Sequence, residues 1–316
     1  MLDPQAKAVI EKVSAQGNPP LEQQTPAQAR EIYKARKALS DGQPKAVQSS
    51  TDQTIEGPHG PIPLRHYRPI GTTAEQQLPT VMYFHGGGYV VGSLDSHDTV
   101  CRYLCAQSGC AVIAVDYRLA PEHRFPAAFE DCLAATHHVA TNGDQWGVDV
   151  NRMAVAGDSA GGQLASVVAI ALRDDPNVSL AFQLLIYPIT DPSMSHPSIL
   201  SNGSGYMLTE SGLRYYYGQY FEGEAWKQDW RAMPLSQATL TGLPNALVLT
   251  AGFDPLRDEG RAYADALSAA GVKTQYVCFE RQIHGFATMG GMIDEANLAL
   301  DLCSSALKRA LSTGTE

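Results

Sequence analysis

A single serine lies among glycines in the segment VAGDSAGGQL at residues 155–164, and an apolar run flanks it on each side. The run before it, at residues 153–156, is short and typical of a buried strand. The apolar residues after it recur at helical spacing: Leu164, Val167, Val168, Ala171 and Leu172. Ser159 is therefore predicted to lie where a strand turns sharply into a helix.

The tight geometry of this turn explains its glycines. A side chain at Gly157 or Gly161 would collide with the neighbouring strand or helix. The same geometry projects the Ser159 hydroxyl outward and leaves the backbone N–H of Ala160 free at a helix start. This predicts an exposed nucleophile with a hydrogen-bond donor beside it. The alternative is a glycine-rich turn whose serine only caps the helix.

Composition limits the class of protein. The 316 residues are 44% hydrophobic, enough for one large α/β domain with insertions or for two smaller domains. The net charge is −10 and basic residues are scattered, which argues against nucleic acid or an anionic membrane as a partner. The N-terminus lacks the apolar core of a signal peptide, and no apolar run approaches the roughly 18 residues of a membrane span. We therefore expect a cytoplasmic protein.

The cysteines and histidines do not form a metal-binding pattern. The six cysteines contain no Cys-x-x-Cys pair, and Cys101, Cys105 and Cys110 lie in or beside apolar segments. Buried free thiols are therefore favoured over a disulfide framework or a zinc site. No histidines have a metal-ligand spacing such as His-Glu-x-x-His. We expect no metal site.

Short apolar strands alternate with helical segments along most of the chain. A hairpin is predicted around residues 57–60, followed by strands at 80–84, 110–115, 152–156, 181–187, 246–251 and 274–279. Helices are predicted at 96–108, 127–141, 160–173, 257–270 and 294–311, and two more begin after Asp3 and Thr25. With the hairpin counted as two strands, the alternation predicts an α/β fold with one mostly parallel eight-stranded sheet, covered by helices on both faces.

A 45-residue connection between Thr190 and Pro234 interrupts this alternation. Its eight aromatic residues are Tyr206, Tyr215, Tyr216, Tyr217, Tyr220, Phe221, Trp226 and Trp230. It is a packed subdomain with its own small core, or a lid whose aromatics line a pocket, and the two descriptions are compatible. Tyr206 and Trp226 are candidate pocket residues. The predicted organisation is N-terminal helices at 1–50, a core in two parts at 51–189 and 235–316, and an insertion at 190–234.

An acid and a histidine follow the last two predicted strands. Asp254 comes after the seventh strand and His284 after the eighth, whereas Ser159 follows the fifth. The chain order Ser, Asp, His at three strand ends is that of an α/β-hydrolase catalytic triad. Asp254 precedes a proline, so a helix N-cap is an alternative role for it. Asp258, one helical turn later, is a rival acid.

Three glycines follow the third predicted strand in the sequence FHGGGY at residues 84–89. They form a flexible turn, a cradle for phosphate or an oxyanion hole. A dinucleotide loop requires Gly-x-Gly-x-x-Gly at the start of a helix, whereas the chain here is predicted to continue as loop. The N–H groups of Gly86, Gly87 and Gly88 can approach a developing negative charge closely, which favours the oxyanion hole.

Six motifs together resemble the hormone-sensitive-lipase-like branch of the α/β-hydrolases, which includes the bacterial family IV esterases. They are HGGG at 85–88, YRLAPEHRFPAA at 117–128, GDSAGG at 157–162, LLIYP at 184–188, DPLRDEG at 254–260 and HGF at 284–286. The match runs from about residue 60 to the C-terminus, in the family's order. The resemblance implies the α/β-hydrolase fold with a helical cap, made by the N-terminal helices together with residues 190–234.

The resemblance also implies a role for each site residue. Ser159 would be the nucleophile, His284 the general base and then acid, and Asp254 the group that orients His284. The oxyanion hole would come from the glycines at 86–88, with Gly87 and Gly88 favoured, and from Ala160. His85 and Asp158 match motif positions whose family roles are structural.

The implied activity is hydrolysis of short- to medium-chain carboxylic esters through an acyl-enzyme, on a small-molecule substrate and without a cofactor. Two other classes stay open: an amidase or peptidase with the same triad, and a non-catalytic ligand-binding protein on the same fold. Proteins of the second class typically lose the catalytic histidine, which is present here at 284. Family members are often dimers, so a homodimer is also an expectation.

Overall fold

The computed structural model describes residues 1–236 and 239–312. The strands are β1 Ser49–Gly57, β2 Gly60–Arg68, β3 Leu78–Phe84, β4 Ala111–Val115, β5 Val148–Asp158, β6 Leu180–Ile186, β7 Asn245–Phe253 and β8 Thr274–Ile283. The helices are α1 Pro4–Ser14, α2 Pro26–Ser40, α3 Asp98–Ser108, α4 Ala127–Thr141, α5 Gly143–Trp146, α6 Ala160–Leu172, α7 Pro197–Asn202, α8 Glu210–Tyr220, α9 Arg257–Ala269 and α10 Asp294–Ala310. Every predicted strand and helix is present, with its ends shifted by at most a few residues.

All eight strands form one sheet in the order β1-β2-β4-β3-β5-β6-β7-β8. β2 pairs antiparallel with β1 and β4, and the other neighbouring strands are parallel. This confirms the mostly parallel eight-stranded sheet. Because β3, β5, β7 and β8 run in the same direction, the residues that follow them meet at one edge of the sheet.

Helices cover both faces of the sheet, and successive residues of β3 show how its side chains divide. Val81 and Tyr83 belong to the core packed under α3 and α10, whereas Met82 and Phe84 belong to the core under α4, α6 and α9. All four side chains are fully buried. A strand buried on both faces reads as a continuous apolar run, which is why its alternation was hidden in the sequence. In the described ranges, no helix is long and apolar enough to cross a membrane.

Both N-terminal helices begin where the sequence predicts. The Asp3 carboxylate accepts the N–H of Gln5 over 2.8 Å at the start of α1. Thr25 and Gln28 form a capping box at the start of α2. These caps satisfy N–H groups that have no acceptor inside the helix, so they set where each helix starts.

The 45-residue connection contains three short helices joined by loops. It holds α7, α8 and a short 3₁₀ helix at Ala225–Gln228. α8 packs against a second 3₁₀ helix at Leu21–Gln23, which joins this segment to the N-terminal part of the chain. Leu213 and Tyr220 are buried in the same core as α4 and α6. The aromatic residues of the connection therefore serve its own packing as well as the cavity described below.

Candidate active site

Ser159 lies at the turn between β5 and α6. β5 ends at Asp158 and α6 begins at Ala160, so Ser159 alone makes the turn. Its φ of 56° and ψ of −118° lie in a region that few residues other than glycine occupy. Its N–H donates to the Ile186 carbonyl over 2.8 Å, which ties the turn to β6. The predicted strand-to-helix turn is confirmed.

The glycines beside Ser159 leave no space for side chains, as predicted. A Cβ at Gly161 would overlap the carbonyl of Phe84, and one at Gly157 would overlap the carbonyl of Gly161. β3, β5 and α6 reach this close approach because these positions carry no Cβ. The N–H of Ala160 is the first in α6 and so has no acceptor inside the helix.

Three side chains form a hydrogen-bonded line across the carboxyl edge of the sheet. His284 Nε2 lies 3.0 Å from Ser159 Oγ, and His284 Nδ1 lies 2.7 Å from Asp254 Oδ2. Asp254 is fully buried, whereas the His284 side chain is 12% exposed. A carboxylate that accepts a hydrogen bond from Nδ1–H leaves Nε2 able to take the serine proton. The strand ends thus bring together the three residues that the sequence pattern singled out.

Further hydrogen bonds hold Asp254 in place. Its Oδ1 accepts the N–H of Leu256 over 2.8 Å. The Asn202 side chain donates to the carbonyls of Gly252 and Asp254, each over 3.2 Å. Because α9 begins only at Arg257, Asp254 closes the turn before the helix and is not its N-cap. One carboxylate oxygen therefore fixes the turn and the other faces His284.

The rival acid Asp258 has a different partner. Its Oδ1 accepts a hydrogen bond from Arg257 Nε over 2.8 Å, and its side chain is 26% exposed. The carboxylate in contact with His284 is that of Asp254. The geometry therefore favours Asp254 over Asp258 as the acid of the triad.

The glycine loop after β3 does not offer all three of its N–H groups. The N–H of Gly86 donates to Asp158 Oδ1 over 2.9 Å, so this donor is already used inside the protein. The expectation that Gly86 contributes to the oxyanion hole is therefore corrected. Gly87 and Gly88 both have positive φ, and a Cβ at Gly88 would overlap the Tyr216 ring. Both glycines line the cavity that contains Ser159.

Asp158 is a buried carboxylate beneath this loop. Its Oδ1 also accepts a hydrogen bond from the Tyr83 hydroxyl over 2.8 Å and lies 3.3 Å from His97 Nε2. Burial raises the pKa of the Asp158 carboxyl, but the nearby His97 and the hydrogen bonds from Tyr83 and Gly86 outweigh burial and lower the pKa to about 2. An ionised Asp158 therefore fixes the first glycine of the loop.

The lowered pKa of Asp158 predicts a pH-dependent contribution to stability. The folded pKa of about 2 lies below the ordinary value of 3.8, so the contribution is complete above pH 3.8 and is lost as the pH falls through 2. Asp158→Asn should therefore lower the free energy of unfolding most near neutral pH, by about 2 kcal/mol. Urea unfolding of both proteins across this pH range measures the difference. An equal difference at acidic and neutral pH would contradict the role of the charge.

A cavity of about 410 Å³ lies above Ser159 and His284. Its apolar wall comes from α2, α8 and the loops beside them, through Ile32, Tyr33, Ile189, Leu208, Leu213 and Tyr216. Small-molecule sites span roughly 300–1,000 Å³, so this cavity is near the lower end. It has room for a compact ligand beside the serine.

Neither of the two candidate pocket residues from the sequence lines this cavity. Tyr206 packs against Phe253, with ring centroids 5.1 Å apart. Trp226 stacks on Phe221 at 4.3 Å, and its indole N–H donates to the Gly223 carbonyl over 3.0 Å. Tyr206 therefore packs onto the end of β7 and Trp226 packs within the insertion.

Three residues near the site were not among the predicted site residues. Tyr216 covers Gly88, and Asn202 holds the turn that carries Asp254. Tyr187 is fully buried, and its ring packs 4.7 Å from the His284 ring, between centroids. Tyr187 lies in the LLIYP motif, which was a signal for it. Nothing in the sequence distinguishes Tyr216 or Asn202 from their neighbours.

The six cysteines are free thiols, five of them buried, as expected from their spacing. Among the residues that the structure describes, no three His, Cys, Asp or Glu side chains are grouped so that they could hold a metal ion.

Comparison with known proteins places this geometry in a family. The sequence profile of the alpha/beta hydrolase fold family matches residues 81–288. The chain is 41% identical over 265 residues to the esterase LipI of Mycobacterium tuberculosis, covering 82% of each protein. It is 39% identical over 286 residues to an ethyl acetate hydrolase of Pseudomonas putida, covering 90% of each.

Solved structures agree with these relatives. An ester hydrolase from the metagenome of Lake Arreo, solved with a derivative of bipyridine phosphonate, is 40% identical. It superposes with a TM-score of 0.95 and covers 99% of this chain and 100% of that one. A thermostable esterase of Pseudomonas putida is 34% identical, with a TM-score of 0.95 over 99% of this chain and 98% of that one. The chain therefore belongs to the hormone-sensitive-lipase-like branch of the α/β-hydrolases.

Proposed function

We propose that the protein is a serine carboxylesterase that hydrolyses short- to medium-chain esters of small molecules through an acyl-enzyme. The observation that carries this proposal is the hydrogen-bonded line from Asp254 through His284 to Ser159 beside a cavity of about 410 Å³. Relatives named esterase and ethyl acetate hydrolase support the substrate class.

The acylation step uses all three side chains. Ser159 Oγ attacks the ester carbonyl carbon while His284 Nε2, 3.0 Å away, accepts the hydroxyl proton. The Asp254 carboxylate keeps Nδ1 protonated and stabilises the imidazolium that forms. The tetrahedral intermediate then collapses: His284 gives the proton to the alcohol oxygen, the carbon–oxygen bond breaks, and the acyl group stays on Ser159.

Backbone N–H groups stabilise the negative charge of that intermediate. We assign the oxyanion hole to Gly87, Gly88 and Ala160. The N–H of Gly86 is excluded because it already donates to Asp158. Fixed donors of this kind are each worth about 2.7–4 kcal/mol in the transition state.

The deacylation step repeats the chemistry with water. The His284 side chain is 12% exposed, so water reaches it from the cavity. His284 removes a proton from a water molecule, whose oxygen attacks the acyl carbon, and Ser159 leaves with the proton returned by His284. The products are a carboxylic acid and the free serine.

The cavity and its cover determine which esters fit. We propose that the cap consists of the N-terminal helices and residues 190–234, since Tyr33 of α2 and Tyr216 of α8 both line the cavity. Bulky aromatics close a pocket of limited length, whereas an open apolar groove would suit long chains.

Graded acyl length is the test of this substrate class. We expect kcat/KM for p-nitrophenyl esters to be highest for acyl chains of about two to eight carbons and to fall for longer ones, because the cavity is small. Emulsified triglycerides should be poor substrates. A preference for sixteen-carbon esters, or activation at an oil–water interface, would make the protein a lipase instead.

A pair of cap variants sharpens this measurement. Tyr216→Ala removes a ring from the cavity wall and should shift the preference toward longer chains. Trp226→Ala removes a ring of the same insertion that lies outside the wall, and should leave the preference unchanged. Equal shifts in both variants would mean that the cavity wall does not determine the acyl-chain preference. Matched amides assayed beside the esters distinguish an amidase, which would cleave both.

A further inference from the structure

Helix α2 turns one regular face toward the catalytic cavity. Its lining residues are Ala29, Ile32, Tyr33, Arg36, Lys37 and Ser40, which recur at helical spacing. Lys37 differs from the others because it is a charged side chain that is only 5% exposed. Burying an ammonium group costs free energy unless the group is paired and hydrogen-bonded. The contacts of Lys37 Nζ therefore have to offset this cost.

The contacts of Lys37 lead to the turn that carries His284. Lys37 Nζ donates to the carbonyl of Thr288 over 2.8 Å and lies 2.5 Å from the carboxylate of Asp41, one turn further along the chain. Thr288 in turn donates to the carbonyl of Gly285, through its N–H over 3.1 Å and through its hydroxyl over 3.0 Å. Gly285 directly follows His284. A continuous series of hydrogen bonds therefore connects α2 with the residue next to the histidine.

A second contact ties the end of α2 to the same loop. The N–H of Gly291 donates to the carbonyl of Ser40 over 3.0 Å. In the same loop, Phe286 is fully buried in the core that also contains residues of α3 and α10. The loop after β8 is thus held by the apolar packing of Phe286 and by two contacts with α2, of which that of Lys37 is the charged one.

We propose that Lys37 is a positioning residue that holds the His284 turn against helix α2 and so keeps His284 aligned with Ser159. This rests on the triad of the proposed function. Hydrogen-bond geometry at a catalytic base is demanding, since a displacement of about 1 Å caused by a distant substitution costs up to roughly 100-fold in rate. Because Lys37 Nζ is already engaged by Thr288 and Asp41, it does not bind a neutral ester, and substrate affinity should change little.

The test compares Lys37→Met with Lys34→Met, an exposed lysine on the same helix that does not line the cavity. Methionine keeps the length of the side chain and removes the charge and the donor. We expect Lys37→Met to lower kcat for p-nitrophenyl butyrate about 10- to 100-fold with KM within about threefold of the parent. Lys34→Met should match the parent in both constants.

A second readout reports the Ser159–His284 pair without ester turnover. Diethyl p-nitrophenyl phosphate phosphorylates an activated serine, and mass spectrometry follows the labelling rate. This rate should fall in Lys37→Met as kcat does, but stay unchanged in Lys34→Met. If the parent is not labelled at Ser159, the proposed function fails. If the parent is labelled and Lys37→Met is labelled equally fast, only the role of Lys37 fails.

A purely structural role for Lys37 gives a different result. In that case Lys37→Met would lower the thermal unfolding midpoint while the folded enzyme kept its full kcat, and this outcome would overturn the proposal. The double variant Lys37→Met/Asp41→Asn removes both charges, so that no carboxylate is left without its partner. It should fold and show the same loss of kcat. If both variants failed to fold, Lys37 would be a folding residue and the proposal would be wrong.

Discussion

Ser159→Ala is expected to abolish ester turnover, with a loss of kcat of roughly 10⁶-fold, the scale on which a serine hydrolase loses its nucleophile. The hydroxyl is the only group removed, and the hydrogen bond that it loses is the 3.0 Å contact with His284 Nε2. The N–H of residue 159 still donates to the Ile186 carbonyl, so the turn keeps its anchor on β6. The variant should therefore fold like the parent.

Two measurements separate the chemistry from the fold in this variant. Circular dichroism and thermal unfolding should match the parent, while a stopped-flow trace with p-nitrophenyl acetate should show no burst of p-nitrophenol. A burst in the folded Ser159→Ala protein would mean that another residue carries the acyl group.

Asp254→Asn is expected to cost roughly 10⁴-fold in kcat, as the equivalent loss of an orienting carboxylate does in a serine protease. The amide no longer enforces the tautomer with a proton on His284 Nδ1, so Nε2 is not fixed as the acceptor of the Ser159 proton. Because Asp254 is fully buried, a water molecule cannot take over the role of its carboxylate.

Asp258→Asn is the matched control for Asp254→Asn. It removes the same charge four residues later, where the carboxylate pairs with Arg257 and the Asp258 side chain is 26% exposed. We expect kcat within a few-fold of the parent, because partly exposed ion pairs contribute little. Steady-state kinetics on both variants decides between the two acids. A larger loss in Asp258→Asn would show that the wrong carboxylate had been assigned.

The triad was predictable because it depends on chain order and strand direction alone. Ser159, Asp254 and His284 each follow a strand of one parallel sheet, and parallel strands deliver their following residues to one edge. The glycines at 157 and 161 added the sharp turn. No knowledge of side-chain packing was needed for this part of the site.

Which glycine of the loop uses its N–H inside the protein was not predictable in the same way. Gly86, Gly87 and Gly88 are identical in the sequence. Gly86 differs only because its N–H meets the Asp158 carboxylate, a contact between residues 72 positions apart in the chain. Such a contact follows from the packing of β3 beside β5, which the local sequence does not contain.

Which aromatics of the insertion line the cavity could not be predicted, for a related reason. Successive residues on a helix point about 100° apart, so the three tyrosines at 215–217 on α8 cannot all face the cavity. Tyr216 and Tyr217 line the cavity, whereas Trp226 lies in a short 3₁₀ helix and turns toward Phe221. The sequence shows that aromatics are abundant in this insertion, but the side that each one faces depends on how the insertion docks onto the core.

The most direct test of the proposed mechanism is to find where the protein is acylated. The parent is mixed with p-nitrophenyl acetate, quenched in acid within the first turnover, digested and examined by mass spectrometry. We expect one acetyl group for each p-nitrophenol released in the burst, located on Ser159 in the peptide that contains GDSAGG. An acetyl group on any other residue, or rapid hydrolysis with Ser159 unmodified at every time point, would contradict it.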